Sequence, residues 1–140
     1  MRILAIDYGL ARTGVAVSDP TGRIASPVAV LGSRNPEQLL NELLELIRNY
    51  APERVLLGYP SRTDGQSSLM CQRVNAFGDL IFERSGIRPV FWDEKYTTVL
   101  ASRLLHEGGQ NTRKQRGKID AAAAAVLLQE YLDAHPQQEN

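Results

Sequence analysis

The sequence lacks the features that would place it in several common classes of protein. It contains a single cysteine, Cys71, which excludes an internal disulfide and a zinc site built from several cysteines. Neither of the two histidines lies near Cys71 in the sequence, so the pattern of a cysteine nucleophile is absent. No apolar run approaches the length of a membrane span, and the N-terminus lacks the layout of a signal peptide. We therefore expect a cytoplasmic protein that does not bind membranes.

The chain also lacks an excess of charge of either sign. It has 16 basic and 16 acidic residues, and this formal net charge of zero argues against a protein that coats nucleic acid through bulk charge. A local basic patch is still compatible with the balance. The 140 residues suit one domain with a real core and are too few for two full lobes. We predict one domain over residues 1–134 and a polar, frayed tail over residues 135–140.

Strand and helix patterns alternate along the chain, which is typical of an α/β fold. Apolar runs predict five strands, over residues 3–6, 13–18, 23–31, 54–58 and 88–92. Asp19-Pro20-Thr21-Gly22 has the composition of a hairpin turn, with Asp19 as a turn residue, so the first three strands should form an antiparallel meander. The sequence thus predicts a central mixed five-stranded sheet flanked by helices.

The helices have recognisable start signals. Asn35, Pro36 and an acidic third residue predict a helix that runs to about Tyr50. Further helices are predicted from near Leu69, from Thr97 or Thr98, and from Ile119. The polar stretch 61–68 and the basic stretch 111–118 are predicted to be loops.

Three acids occupy positions where the active sites of α/β proteins gather. Asp7 follows the first strand, Glu94 follows the last, and Asp120 begins the final helix. If the first and last strands are neighbours, these carboxylates converge. Two such charges about 4 Å apart repel by roughly 4 kcal/mol at an effective dielectric constant near 20, so a cation is needed between them. Oxygen ligands without His or Cys favour Mg²⁺ or Mn²⁺, and ions held this way suit hydrolysis of a phosphodiester.

Each of these acids also has a purely structural explanation. Asp7 suits a turn, and Asp120 is stabilised simply by the positive end of a helix dipole. Glu94 could pair with Lys95 or Arg103. Asp93 is a weaker candidate than Glu94, because adjacent strand residues point to opposite faces and only one can face the site.

Five motifs then appear in an order and spacing that match a known family. They are D-Y-G at 7–9, T-G-V-A-V-S-D at 13–19, G-Y-P at 58–60 with D-G at 64–65, D-E-K-Y-T-T at 93–98, and K-I-D-A-A-A at 118–123. Over residues 1 to about 133 the chain resembles the YqgF family of RNase H-like nucleases, also described as RuvC-like Holliday junction resolvases. The resemblance implies an RNase H-like fold and a divalent-metal nuclease that processes the 5′ end of pre-16S rRNA during ribosome biogenesis.

The resemblance also implies catalytic and metal-binding roles for Asp7, Glu94 and Asp120. The chain departs from the family pattern at Tyr59, where many members have leucine, and at Lys95, where many have arginine. Resolvases of the RuvC type carry a further acid one helical turn after the last one, where this chain has Ala123. Cleavage of four-way DNA junctions is therefore the alternative to rRNA processing.

Basic residues near the three acids are candidates for contacts with phosphates. A solvated loop explains part of the set equally well. The expected partners are pre-rRNA or structured DNA, with ribosomal particles, and the sequence leaves open whether the protein is a monomer or a homodimer. The candidate nucleic-acid-binding residues are Arg12, Arg62, Lys95, Arg113, Lys114, Arg116 and Lys118. For Arg12, pairing with Asp19 or Asp7 is an equally good explanation.

Two rival classes of protein share parts of these patterns. The Asp-x-Gly turn also occurs in actin-like and sugar-kinase ATPases, but these enzymes close two lobes over a nucleotide and need a longer chain. A non-catalytic RNA-binding or ribosome-binding module is the stronger rival, because the net charge is zero and one acid of the RuvC type is missing.

Overall fold

The computed structural model describes residues 1–60, 65–93 and 113–136, and it describes the side chains of all of these except residues 65–68 and 113–120. Within these ranges the chain forms a single α/β domain of five strands and three helices. In chain order these elements are β1 (Ile3–Asp7), β2 (Arg12–Ser18), β3 (Ala25–Gly32), α1 (Pro36–Tyr50), β4 (Arg54–Tyr59), α2 (Gly65–Ser85), β5 (Val90–Asp93) and α3 (Arg113–Ala134).

The strands form one mixed sheet in the order β3-β2-β1-β4-β5. The first three strands pair antiparallel, which confirms the predicted meander, whereas β4 and β5 run parallel to β1. The expectation that the first and last strands could be neighbours is wrong, because β4 lies between them. Since β1, β4 and β5 run in the same direction, they nevertheless all end at one edge of the sheet, which we call the carboxyl edge.

Helices cover both faces of this sheet, and the alternation of β1 shows how. Leu4 and Ile6 join a buried cluster with α1 and α2, and we call this side the α1/α2 face. Ile3 and Ala5 join a second cluster with α3, on what we call the α3 face. Because β1 is buried on both faces, its residues 3–6 form an unbroken apolar run, as expected for a central strand.

The sequence signals of α1 are confirmed in detail. The helix begins at Pro36, and the Asn35 side chain accepts a hydrogen bond from the Gln38 N–H at 3.2 Å. It ends at Tyr50, after which Ala51 adopts a left-handed conformation with φ 46° and its N–H donates to the Ile47 carbonyl at 2.8 Å. The buried residues of the helix are Leu39, Leu40, Leu43 and Ile47.

The turn between β2 and β3 confirms Asp19 as a turn residue. Its Oδ1 accepts hydrogen bonds from the N–H groups of Arg23 at 2.8 Å and Ile24 at 3.0 Å. The Thr21 hydroxyl also donates to this carboxylate, and together with the two N–H groups it holds the pKa of Asp19 well below its usual range. Gly22, with φ 71°, supplies the positive backbone angle that closes the turn.

Two helices begin earlier than the sequence suggests. Helix α2 starts at Gly65, so residues 65–68 are helical rather than part of a loop. Helix α3 starts at Arg113, so the predicted basic loop is helical from there to residue 118. Arginine, lysine and glutamine are good helix formers, and a single interior glycine costs only about 1 kcal/mol, so Gly117 does not delay the start.

Other differences concern single residues and one predicted helix. Leu80 of α2 is 38% exposed, although its neighbour Ile81 is fully buried. His135 was expected in a frayed tail, yet its ring stacks on Tyr131 with ring centroids 4.3 Å apart. The helix predicted from Thr97 or Thr98 lies outside the described residues. None of the helices described here combines the length and apolar character that a membrane span requires.

Candidate active site

Asp7 is the last residue of β1, at the carboxyl edge and in the middle of the sheet. Its side chain is only 3% exposed. Ile3 and Ala5 face α3, so the pleat puts Asp7 on the same α3 face. Burial of a carboxylate is costly unless charge or hydrogen bonds compensate it, which makes this position a candidate for cation binding rather than for an ordinary turn.

The turn that follows Asp7 is held from both sides. The Tyr8 ring points to the opposite face and stacks on Phe77 of α2, with ring centroids 4.5 Å apart and planes inclined by 20°. A Cβ atom at Gly9 would overlap the Arg12 carbonyl oxygen, so the chain can pass here only with glycine. Sequence reasoning found the D-Y-G motif but missed the Tyr8–Phe77 stack, since nothing local links the two rings.

A second anchor, also missed, ties the turn to the end of β3. The Ser33 N–H donates to the Ala11 carbonyl at 3.0 Å. The buried hydroxyls of Thr13 and Ser33 share a hydrogen bond of 2.6 Å. The segment between β1 and β2 is therefore fixed to the segment that leads into α1.

Arg12 begins β2 and is half-buried. Ala16 of the same strand packs in the α3 cluster, and alternation along β2 therefore assigns Arg12 to the α3 face. In the pairing of β1 with β2, Asp7 lies opposite Gly14, which is two residues along β2 from Arg12. Asp19 follows the opposite end of this strand, about 20 Å away at roughly 3.3 Å per residue, which excludes the Arg12–Asp19 ion pair.

Successive residues at the end of β5 face opposite sides of the sheet. Phe91 packs edge-on against Tyr59 at 5.2 Å on the α1/α2 face. Trp92 packs edge-on against Tyr131 of α3 at 5.3 Å. In the pairing of β4 with β5, Asp93 lies opposite Tyr59. The pleat therefore assigns Asp93 to the same face as Phe91, which is the face opposite Asp7. Glu94 lies outside the described residues.

The course of α3 follows from two contacts near its C-terminal end. Gln129 accepts a hydrogen bond from the Ala25 N–H at 2.9 Å, and Arg54 donates to the Tyr131 hydroxyl at 2.7 Å. Ala25 and Arg54 begin β3 and β4, at the edge where β1 also begins. Helix α3 therefore runs antiparallel to β1, and its N-terminal half is directed towards the carboxyl edge.

Of the predicted site residues, only Asp7 and Arg12 have described side chains, and both lie on the α3 face at the carboxyl edge. Within the described ranges, no three His, Cys, Asp or Glu side chains form a group that could hold a metal. Arg62, Glu94 and Lys95 lie outside the described residues. The backbone is helical, without described side chains, at Arg113, Lys114, Arg116, Lys118 and Asp120.

The fold is shared with proteins whose structures are solved in complex with Holliday junctions. The structure resembles RuvC from Thermus thermophilus in complex with a Holliday junction substrate, with a TM-score of 0.63 and 16% identity over 96% of this chain and 97% of that one. It also resembles the Fowlpox virus resolvase in complex with Holliday junction DNA, with a TM-score of 0.55 and 14% identity over 96% and 98% of the two chains. At these identities the likeness shows the fold alone, and that fold is the expected RNase H-like one.

Sequence relatives are much closer. A protein of Syntrophus aciditrophicus named "Putative pre-16S rRNA nuclease" is 37% identical over 139 residues, which cover 99% of this chain and 93% of that protein. A relative of the same name from Cutibacterium acnes is 41% identical over 131 residues, or 93% and 81% of the two chains. The family model RuvX, described as Holliday junction resolvase, matches residues 1–134. The chain thus belongs to the RuvX family, also called YqgF, and is a nuclease, a hydrolase of phosphodiester bonds.

Proposed function

We propose that this nuclease depends on a divalent metal, Mg²⁺ or Mn²⁺, and processes the 5′ end of pre-16S rRNA in the cytoplasm during ribosome biogenesis. We further propose that residues 1–134 form the nuclease domain and that residues 135–140 form a tail. The observation that carries the proposal is the buried carboxylate of Asp7 at the carboxyl edge, which faces α3. The names of the relatives supply the substrate.

Asp120 is the second proposed ligand, and the course of α3 supports it. It lies nine residues before Gln129, or about 13 Å along a helix. Asp7 lies four residues after Ile3, or about 13 Å along a strand. Because α3 and β1 run antiparallel from a common edge, these equal lengths favour a position of Asp120 level with Asp7. Ala123 and Ala124, which follow Asp120 by one helical turn, are buried against the sheet, and this supports the choice of Asp120.

Glu94 is the third proposed ligand, and the pleat of β5 supports the choice of Glu94 over Asp93. The pleat assigns Asp93 to the face opposite Asp7, which leaves Glu94 as the acid of this pair that we propose binds the metal. These three carboxylates fit Mg²⁺ or Mn²⁺, which prefer oxygen ligands. When bound, such a metal supplies an activated water and stabilises the leaving oxygen of the cleaved phosphodiester.

The basic residues then have distinct proposed roles. Arg12 lies on the Asp7 side of β2, where its guanidinium suits a phosphate near the cleaved bond. The helical basic residues at 113–118 precede Asp120 on α3 and so approach the same edge, while Arg62 and Lys95 follow strands that end there. We propose that all of them bind the substrate backbone rather than its bases.

Cleavage of four-way DNA junctions is the second candidate function. The description of the RuvX family model and the RuvC-like fold favour it. Ala123 argues against it, since this residue is buried against the sheet where a RuvC-type resolvase has a further acid. Symmetric cleavage of a junction also requires two active sites related by a twofold axis, whereas trimming an RNA end requires one.

The decisive experiment compares wild type with Asp7→Asn on a labelled 5′ pre-16S rRNA fragment and on a four-way DNA junction, in Mn²⁺ and Mg²⁺. We expect the wild type to cleave the RNA and Asp7→Asn to be slower by about 100-fold or more, because a metal ligand is lost. Asp79→Asn is the matched control, since Asp79 is an exposed acid on α2 that pairs with Arg88.

Symmetric nicks in the junction without RNA cleavage would favour the resolvase. Retained RNA binding with no cleavage of either substrate would contradict the nuclease proposal for both substrates and favour the binding module. Equal RNA cleavage by wild type and Asp7→Asn would remove Asp7 from the reaction.

A further inference from the structure

We propose that Arg34, on the segment between β3 and α1, binds a phosphate of the nucleic acid substrate outside the metal site. The substrate would then extend along the carboxyl edge from Asp7, past the start of β2, to the end of β3. This inference rests on the proposed function only in that the ligand is a nucleic acid.

The position of Arg34 follows from the pairing of β2 with β3. Gly32, the last residue of β3, pairs with Arg12, so Arg34 leaves the sheet at the carboxyl edge. Two strand spacings of about 4.8 Å separate β3 from β1, so the start of this segment lies roughly 10 Å from the end of β1. That distance equals about three nucleotide steps of roughly 3.4 Å along a duplex.

The backbone on both sides of Arg34 is held in place. Ser33 is buried and bonded to Ala11 and Thr13 of the turn and of β2. Asn35 caps α1 through the Gln38 N–H. An arginine between two anchored residues loses less conformational freedom on binding than one on an unsupported loop, so its guanidinium is well suited to hold an anion.

The charge of Arg34 is also available. Its side chain is exposed, and no carboxylate of the described residues lies within ion-pair distance of it. Two arginines on other parts of the surface are already paired, Arg84 with Glu37 at 3.2 Å and Arg88 with Asp79 at 3.7 Å. Glu37 is the acid nearest to Arg34 in the sequence, and its carboxylate is taken by Arg84. Exposed arginine donors of this kind match the geometry of a phosphate.

The test measures affinity for the labelled pre-16S rRNA fragment as a function of salt, in the Asp7→Asn background so that no cleavage interferes. The association constant K falls as salt rises, and each phosphate contact that is lost should reduce the magnitude of the slope of log K against log salt by roughly 0.7–1. We expect this decrease for Arg34→Gln, with weaker binding of all sequences to a similar extent. Arg34→Lys should keep the slope, because the charge remains.

Arg48→Gln is the matched control. Arg48 is exposed in the last turn of α1, at the far end of the helix from Arg34, and no described carboxylate lies within ion-pair distance of it. Its removal should leave the slope unchanged. Equal slopes for Asp7→Asn alone and for Asp7→Asn combined with Arg34→Gln or with Arg48→Gln would overturn the inference and leave Arg34 as a solvated surface residue.

The two proposals fail separately. Cleavage that depends on Asp7, together with an unchanged slope for Arg34→Gln, would retain the nuclease function and overturn the role of Arg34. A changed slope without any cleavage by the wild type would retain the role of Arg34 in a binding module and overturn the proposed function.

Discussion

At the scale of single residues, the segment Asp7-Tyr8-Gly9 divides its side chains between the two faces of the sheet. Asp7 faces α3, and Tyr8 packs on Phe77 of α2. The sequence identifies the acid and the glycine, but the reason for the glycine appears only in three dimensions. The Arg12 carbonyl comes so close to Gly9 that no side chain fits. A glycine can thus be required by a neighbouring backbone atom without a positive φ.

Gly9→Ala should destabilise the protein by about 1–3 kcal/mol, because the added methyl group forces the turn to shift. Cleavage should fall further than this loss explains, since Asp7 lies two residues away. Urea unfolding and single-turnover cleavage measure the two effects. Gly32→Ala is the matched control at the same edge, because an added Cβ there meets no atom within 4 Å. Equal losses in both variants would show that the Arg12 contact has no energetic effect.

At the scale of secondary structure, α1 is the element in which every local signal agrees. Asn35, Pro36 and the apolar stripe act within a few residues of one another, so sequence reasoning recovered both ends of the helix. Helix α3 shows the opposite case. The glycine at 117 and the dense charge suggested a loop, whereas the helix begins at Arg113. Helical propensity outweighed one glycine there, and packing on the sheet stabilises the helix further along the chain.

At the end of α1, a substitution is predicted to stabilise the protein, whereas most substitutions destabilise it. Ala51 has φ 46°, a left-handed conformation that costs an L-residue about 1–2 kcal/mol and costs glycine almost nothing. Ala51→Gly should therefore stabilise the protein by about 0.5–1 kcal/mol after the greater entropy of the unfolded glycine is subtracted. Chemical denaturation measures the change.

Ala122→Gly serves as the control for this prediction. Ala122 is exposed in the interior of α3, where glycine should destabilise the helix by about 1 kcal/mol. Destabilisation by Ala51→Gly would mean that the backbone there is not strained.

At the scale of the whole molecule, the topology determines which segments of the chain reach the carboxyl edge beside Asp7. Because β1 lies at the centre of the sheet, Asp7 is flanked by β2 on one side and β4 on the other. The parallel direction of β1, β4 and β5 brings the end of β5 to the same edge although β4 intervenes. Helix α3, which runs back along β1, covers the face on which Asp7 lies. This arrangement explains why acids far apart in sequence are proposed to share one metal site.

Metal binding at this site should stabilise the whole domain. At a metal concentration 100 times its Kd, a ligand that binds only the folded state adds about 2.7 kcal/mol, so Mn²⁺ should raise the Tm of the wild type. The increase should disappear in Asp7→Asn and persist in Asp79→Asn. Thermal unfolding with Mn²⁺ and with EDTA measures it. An equal shift in Asp7→Asn would mean that the metal binds elsewhere.

Features that depend on neighbouring residues could be predicted from the amino-acid sequence. These include the order of strands and helices, the meander, the Asp19 turn and the cap of α1, since hydrophobic period, turn chemistry and capping act over a few residues. The family motifs also identified the nuclease class. Three further features became visible only in the folded chain: β4 separates β1 from β5, Tyr8 packs on Phe77, and Ser33 joins the turn after Asp7 to the start of α1. These features depend on contacts between residues tens of positions apart, and local patterns carry no record of which distant segment will pack against them.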